Sequence, residues 1–112
     1  MKVLGENHYE DFWRDGYLVV PDAVHPDLLE RLRCDFSRWL AESRNHDMPY
    51  GVTVDGRPRF DLDVGHSPSS PALRRVNAPI EVSEAFYQAT TSSKMTDVVA
   101  ELIVRRVREA YE

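Results

Sequence analysis

The sequence predicts an α+β protein of four helices and a few short strands. Two long segments, residues 26–43 and the stretch from Lys94 onwards, repeat apolar residues at the spacing of an amphipathic helix. Residues 52–64 instead alternate apolar and polar side chains around Asp55-Gly56, a dipeptide typical of tight hairpin turns. The 112 residues are 42% hydrophobic and 29% charged, which suits one globular domain and is too apolar for a disordered chain.

The first predicted elements are a short helix and a short strand. A helix is expected over 7–15, because three aromatic residues fall on one side of it at helical spacing. Gly16 should end this helix, since glycine tolerates the left-handed conformation that closes many helices. The apolar run 17–20 stops at Pro21-Asp22 and predicts a brief buried strand.

The longest amphipathic helix is predicted from Pro26 to Ser43. Pro26 suits the first helical position, where its missing N–H is not needed, and Asp27 adds negative charge at the positive end of the helix dipole. Cys34 lies off the apolar stripe and is expected to be a surface thiol, because no activating base is nearby. The stripe consists of Leu28, Leu29, Leu32, Phe36, Trp39 and Leu40.

The rest of the chain predicts a hairpin followed by two helices. Strands over 52–54 and 59–64 should pair across Asp55-Gly56, and 67–71 should form a loop before a brief extended piece at 72–76. Pro79 is expected to open a helix that 90–93 interrupts. The last helix should start near Lys94 and continue into 104–108. The residues expected on the apolar faces of these two helices are Val82, Ala85, Phe86, Ala89, Met95, Val98, Val99, Leu102 and Ile103.

Composition and charge exclude several classes of function. The net charge of −5 argues against a nucleic-acid binder, which usually has a basic face. Cys34 is the only cysteine, so an internal disulfide and a zinc site built on paired cysteines are excluded. No apolar run is long enough for a signal peptide or a membrane span. We therefore expect a soluble, cytoplasmic protein that binds no nucleic acid and no membrane.

Histidines and carboxylates offer weak candidates for a metal site. His25-Pro26-Asp27 and His66 would formally supply two histidines and one carboxylate. We reject this set, because His25 and Asp27 lie where a helix begins and so short a pattern often occurs by chance. His8 is a weaker metal candidate still, near the terminus, and His46 is expected to be solvated. His66 is expected to be a surface loop histidine, with the alternative that its loop borders a substrate entrance in a longer protein.

Other charged residues are expected to lie on solvated surfaces. Asp61 and Asp63 would share one face of a strand, on the polar outer side of the hairpin. Arg74-Arg75 and the basic cluster 105–108 are expected to pair with acidic neighbours. Arg74-Arg75 could alternatively meet an anionic substrate in a longer protein.

Two stretches of the chain carry a resemblance to a known family. The first runs from Phe12 to Arg33 and contains Asp15-Gly16-Tyr17-Leu18-Val19-Val20-Pro21-Asp22 before the long amphipathic helix. The second comprises Leu73 to Ile80, then Ala85-Phe86 and residues 96–103. Their order and spacing resemble the N-terminal portion of phytanoyl-CoA dioxygenase-type proteins, over nearly the whole chain up to Ile103.

The resemblance implies a double-stranded β-helix (jelly-roll) oxygenase, of which residues 1–112 would be a single N-terminal segment without the core barrel. Members of that family use iron(II), 2-oxoglutarate and O₂ to hydroxylate a small molecule or an acyl thioester. Their iron ligands, a His-x-Asp pair and a distant His, lie downstream of the region that is similar. The resemblance therefore implies no catalytic, cofactor-binding or metal residue in this chain, which would be a truncation, a frameshifted product or a piece of a split protein.

Three hypotheses about function remain open. The chain would be a fragment of an iron(II)/2-oxoglutarate-dependent dioxygenase that is inactive as given, a non-catalytic helical protein-interaction module, or a small-molecule-binding domain with an aromatic interior. Without the barrel, part of the apolar stripe is expected to lack a partner surface, which predicts marginal stability or a homodimer. The side chains concerned are Leu28, Leu32, Phe36, Trp39 and Val98.

Overall fold

The computed structural model describes residues 4–111 and has the α+β architecture that the sequence predicts. In chain order, the described residues form helices α1 (Glu6–Asp15) and α2 (Pro26–Ser43), strands β1 (Tyr50–Val52), β2 (Pro58–Leu62) and β3 (Leu73–Val76), and helices α3 (Glu84–Thr91) and α4 (Lys94–Tyr111). Contacts divide the chain into two compact units. The first comprises the described parts of 1–26 and 88–112, and the second comprises 27–87.

In the first unit, α1 packs against α4. The predicted end of α1 is confirmed, because Gly16 has a φ of 83° and its N–H donates to the Phe12 carbonyl at 2.8 Å. The centre of this unit is one cluster of buried apolar residues, with partly buried neighbours packed on it. The buried members are Leu4, Tyr9, Val98 and Leu102, and the neighbours are Phe12, Leu18 and Val20.

The predicted strand at 17–20 is wrong. The segment is extended and alternates, since Leu18 and Val20 pack on the core while Tyr17 and Val19 are exposed. However, no other described segment lies beside it as a strand, so its backbone forms no sheet ladder. Alternation shows which side chains are buried, whereas a strand also needs a neighbouring backbone.

In the second unit, α2 follows its predicted bounds, beginning at Pro26 and ending at Ser43. Trp39 is buried and contacts the rings of Phe60 and Phe86, at centroid distances of 6.2 and 5.5 Å. The expectation that the stripe lacks a partner surface is therefore wrong for Trp39. It is wrong also for Leu28 and, in the first unit, Val98, which are both buried.

The predicted hairpin is confirmed as the first two strands of a three-stranded antiparallel sheet in the order β1-β2-β3. Tyr50 pairs with Phe60, and the turn residue Gly56 has a φ of 87°. The first strand ends earlier than predicted because Thr53 already belongs to the turn, where its N–H donates to the Arg57 carbonyl at 2.8 Å. The extended piece predicted at 72–76 supplies the third strand, β3.

The helix predicted from Pro79 is interrupted. Pro79–Glu81 forms only a 3-10 turn, and α3 begins at Glu84. The reason is the Ser83 hydroxyl, which accepts a hydrogen bond from the Phe86 N–H at 3.1 Å and so caps the start of a new helix. Across the described residues, no helix is long and apolar enough to cross a lipid bilayer.

Candidate functional site

The residues considered for a metal site do not form one. Across residues 4–111, no group of three or more His, Cys, Asp or Glu side chains could hold a metal ion. Asp27 lies in the first turn of α2, as expected for a helix start. His8 accepts a hydrogen bond from the Gly5 N–H at 3.2 Å at the beginning of α1. The described residues therefore do not fit the iron site of the oxygenase family.

His66 lies half-buried in a loop of the second unit, where it has a structural role that the prediction of a surface loop histidine did not include. Its Nδ1 accepts the Ala72 N–H at 2.9 Å, which requires the proton to be on Nε2. Nε2 then donates to the carbonyls of Ser43 and His46, at 3.0 and 2.9 Å. Both ring nitrogens are thus used to fix the end of α2 to the loop before β3.

His46 is also less solvated than predicted. Its ring is half-buried and lies 3.5 Å from the Tyr50 ring, nearly parallel to it at 9°. The Tyr50 hydroxyl is buried and has no hydrogen-bond partner among the described residues. Burial raises the pKa of Tyr50 above its ordinary value, and the negative charge of Glu42 raises it further. This stack joins the end of α2 to the sheet.

The cysteine and the predicted surface charges largely follow the sequence. Cys34 is exposed, and its Sγ lies 3.7 Å from a Glu30 carboxylate oxygen. The thiol lies on the exposed side of α2, as the sequence predicts, and we assign it no chemical role. Arg75 pairs with Asp61 at 2.6 Å across neighbouring strands, as expected for an arginine with an acidic neighbour.

Arg59 is the most buried charged residue described in the second unit, and it was not among the candidates that the sequence suggested. Its guanidinium donates to the carbonyls of Asn77 at 3.0 Å, Ala78 at 2.8 Å and Val52 at 3.3 Å, and pairs with Glu81 at 2.7 Å. Its side chain is only 8% exposed. One side chain therefore holds two backbone segments, at Val52 and at 77–78, together with the Glu81 carboxylate, which is a structural role. Strand alternation gave no signal of this burial, because it places Arg59 on the same face as Asp61 and Asp63, which the sequence predicts to be the polar outer face.

In the first unit, aromatic and charged side chains fix one side of α4 to α1. Arg105 pairs with Glu6 at 2.6 Å, and its guanidinium lies 3.6 Å from the centre of the Tyr9 ring. The Tyr9 hydroxyl donates to Glu109 at 2.8 Å. This hydrogen bond, with the neighbouring Arg105, lowers the pKa of Glu109 below its ordinary value. The basic cluster at 105–108 is thus partly an internal network, which the expectation of acidic partners anticipated.

The opposite side of α4 is apolar and exposed. With about 100° of rotation per residue, an arc of roughly 140° around the helix contains eight residues and no charge. We call this surface the α4 apolar face. Its larger members are about half exposed, with Val99 at 49%, Ile103 at 56%, Val107 at 51% and Val104 at 47%. The remaining members are Thr96, Ala100, Ala110 and Tyr111.

Charged residues border the α4 apolar face along its edges. Asp97 and Arg108 lie along one edge, where both line the same groove of the first unit. Arg106 borders the opposite edge, with its guanidinium 4.9 Å from the centre of the Trp13 ring. A central apolar stripe with charged borders is the pattern of a helix that binds another protein surface, and single exposed apolar residues do not produce it.

Helical spacing in the sequence predicts Val99 and Ile103 on the same apolar face as Val98 and Leu102. Only Val98 and Leu102 are buried. The unusual width of the apolar arc already indicated a second surface on α4, because a helix that only covers a core is polar on its opposite side.

Comparison of the chain with protein-family models, with curated proteins and with solved structures finds no match.

Proposed function

We propose that this protein is an interaction module that binds a protein partner through the α4 apolar face. The observation that supports this proposal is the uncharged arc of α4, on which four aliphatic side chains, those of Val99, Ile103, Val104 and Val107, remain 47–56% exposed. These positions follow the three- and four-residue spacing with which a helix presents anchors to a groove or to another helix.

Burial of the exposed apolar side chains supplies only part of the free energy that a specific contact needs. Full burial of a Val or Ile side chain contributes about 1.5–3 kcal/mol relative to full exposure, so a half-exposed one has roughly 1 kcal/mol left to gain. Four such side chains could therefore contribute about 4 kcal/mol before the entropic cost of association is subtracted. The charged borders would then have to supply part of the affinity and the orientation of the partner.

The proposal is tested by placing a photo-crosslinking amino acid at Ile103 and irradiating cells of the source organism that express the protein. The matched control carries the same group at Glu10, an exposed position on α1 in the same unit. We expect discrete covalent adducts from position 103 and none from position 10. An absence of adducts from position 103, or equal adduct patterns at both positions, would contradict an interaction surface on α4.

The second candidate function is the N-terminal segment of a phytanoyl-CoA dioxygenase-type oxygenase. The observation that favours it is the succession of α1, the turn at Gly16, an extended segment and α2, which is the order that the resemblance implies. Under this candidate the chain alone should not turn over 2-oxoglutarate when iron(II) is added. Turnover that disappears in a His25→Ala or Asp27→Ala variant would show that the fragment interpretation is wrong.

A further inference from the structure

We infer that the partner of the α4 apolar face is a second copy of this chain, with the two α4 helices antiparallel. The inference rests on the proposed function and names its partner. It is carried by the positions of Asp97 and Arg108, which have opposite charges and lie on the same edge of the face. Neither side chain makes an ion pair with another residue of the described range 4–111.

The spacing of these charges matches a two-fold axis. Eleven residues separate Asp97 from Arg108, which is about 16 Å along a helix, and their directions around the helix differ by only about 20°. An antiparallel two-fold pair brings the same edge of each helix together with the order of residues reversed. We place the two-fold axis beside Ile103. Measured along the helix, Asp97 of one copy then lies within about one residue of Arg108 of the second copy. Symmetry then repeats the pair at the other end.

The same axis also aligns the apolar residues. Ile103 lies against Ile103 of the second copy, and Val99 of each copy lies level with Val107 of the other. These three positions form one row with a spacing of four residues, which is the row that interdigitates in the commonest class of helix packing. The axis that pairs the charges is therefore also the axis that buries the centre of the face.

A parallel arrangement is disfavoured by the charges at the borders. In a parallel two-fold pair, opposite edges of the helices come together at the same level. Arg108 of one copy would then approach Arg106 of the second, and Asp97 would have no cation at its level. Repulsion between like charges across an interface selects against such alternatives.

The dimer is expected to be weak. One helix face is smaller than the roughly 800 Å² that each partner contributes to a standard interface, so we expect a dissociation constant in the micromolar range. Sedimentation equilibrium between about 1 and 500 μM should therefore show a monomer–dimer transition.

Charge reversal tests the proposed register. We expect Asp97→Arg and Arg108→Asp each to weaken the dimer about tenfold, because each creates two like-charge contacts per dimer. The double variant, which exchanges the two charges, should return to within about threefold of the original dissociation constant. Glu10→Arg, a charge reversal outside the face in the same unit, should leave the dissociation constant unchanged. Ile103→Asp should abolish the dimer while far-ultraviolet circular dichroism shows the helices intact.

Several results would overturn the inference. A strictly monomeric protein at 500 μM refutes the second copy as partner, and a dimer that Ile103→Asp leaves intact refutes the face. A double variant that is no tighter than the single variants refutes the antiparallel register. Adducts from position 103 that contain only a different protein, together with a monomer in sedimentation, would retain the proposed function and refute this inference. Thus the two proposals fail in different experiments.

Discussion

Arg59 offers the sharpest test of what holds the second unit together. Substitution by Met keeps an apolar stem of similar length but removes every donor of the guanidinium. The carbonyls of Asn77, Ala78 and Val52 then lose their hydrogen bonds to this side chain. At about 1 kcal/mol for each, the expected loss of unfolding free energy is about 3 kcal/mol. Loss of the ion pair with Glu81 comes in addition, so about 3 kcal/mol is a lower limit.

Urea denaturation measures this loss if the second unit is observed separately. Trp39 is buried in the second unit, whereas Trp13 lies in the first, so a Trp13→Phe background leaves Trp39 fluorescence as the reporter. Arg59→Lys is the matched control, because it retains the charge but lacks the planar fork and should lose about half as much. A loss below about 1 kcal/mol for Arg59→Met, or equal losses for Met and Lys, would refute the role assigned to the guanidinium.

Three further predictions concern the same unit. Gly51→Ala should cost about 2 kcal/mol, because Gly51 has a φ of 73° and its added Cβ would lie 2.8 Å from the Arg59 Cβ, whereas Gly65→Ala meets nothing within 4 Å and should be nearly neutral in the same urea titration. His66→Phe should cost about 2 kcal/mol by thermal denaturation, since the Ala72 N–H loses its acceptor and two carbonyls lose their donor, and an unchanged melting temperature would contradict the bonding described. The hydrogen bond from the Val54 N–H, and secondly Arg59, lower the pKa of the Glu81 carboxyl below 4.5. Ionised Glu81 therefore stabilises the fold above pH 4.5, and this stabilisation is lost as the pH falls through the lowered pKa. Glu81→Gln should therefore flatten the acid side of the stability–pH curve, and an unchanged slope would contradict this assignment.

The parts of the fold that were predictable from sequence are those fixed by local chemistry. Pro26 marks the start of α2, Gly16 ends α1, and Asp55-Gly56 forms the turn of the hairpin. Each of these signals depends on the conformational preference of one or two residues. The structure agrees with them because nothing distant in the chain needs to be known.

The errors arose where distant backbone decides the outcome. The segment 17–20 has the alternation of a strand, but the strand partner it would need is absent from the described residues. His66 and Arg59 bind carbonyls 18–23 residues away, and no local pattern predicts that an imidazole or a guanidinium will be enclosed by backbone. The break before α3 depends on a single hydroxyl, that of Ser83, competing with a helix that Pro79 could have continued.

The candidate surface on α4 was only half predictable. Periodicity gave the helix and its start at Lys94, yet the apolar residues cover too wide an arc to be assigned to one neighbour. The position of α1 decides which part is covered, through the contacts of Tyr9 with Arg105 and Glu109. Only after those contacts are known does the remaining sector, centred on Ile103, become identifiable as a free surface.

The first unit is assembled from two segments that are far apart in the sequence, and this affects the order in which the chain can fold. The Leu4 N–H donates to Glu101 across a separation of 97 residues. At a synthesis rate of about 5–20 residues per second, α1 must wait roughly 5–20 seconds for the helix it packs against. The second unit is contiguous and can close its own contacts during that interval. Until α4 is synthesised, the apolar side of α1 lacks the residues Val98 and Leu102 that cover it.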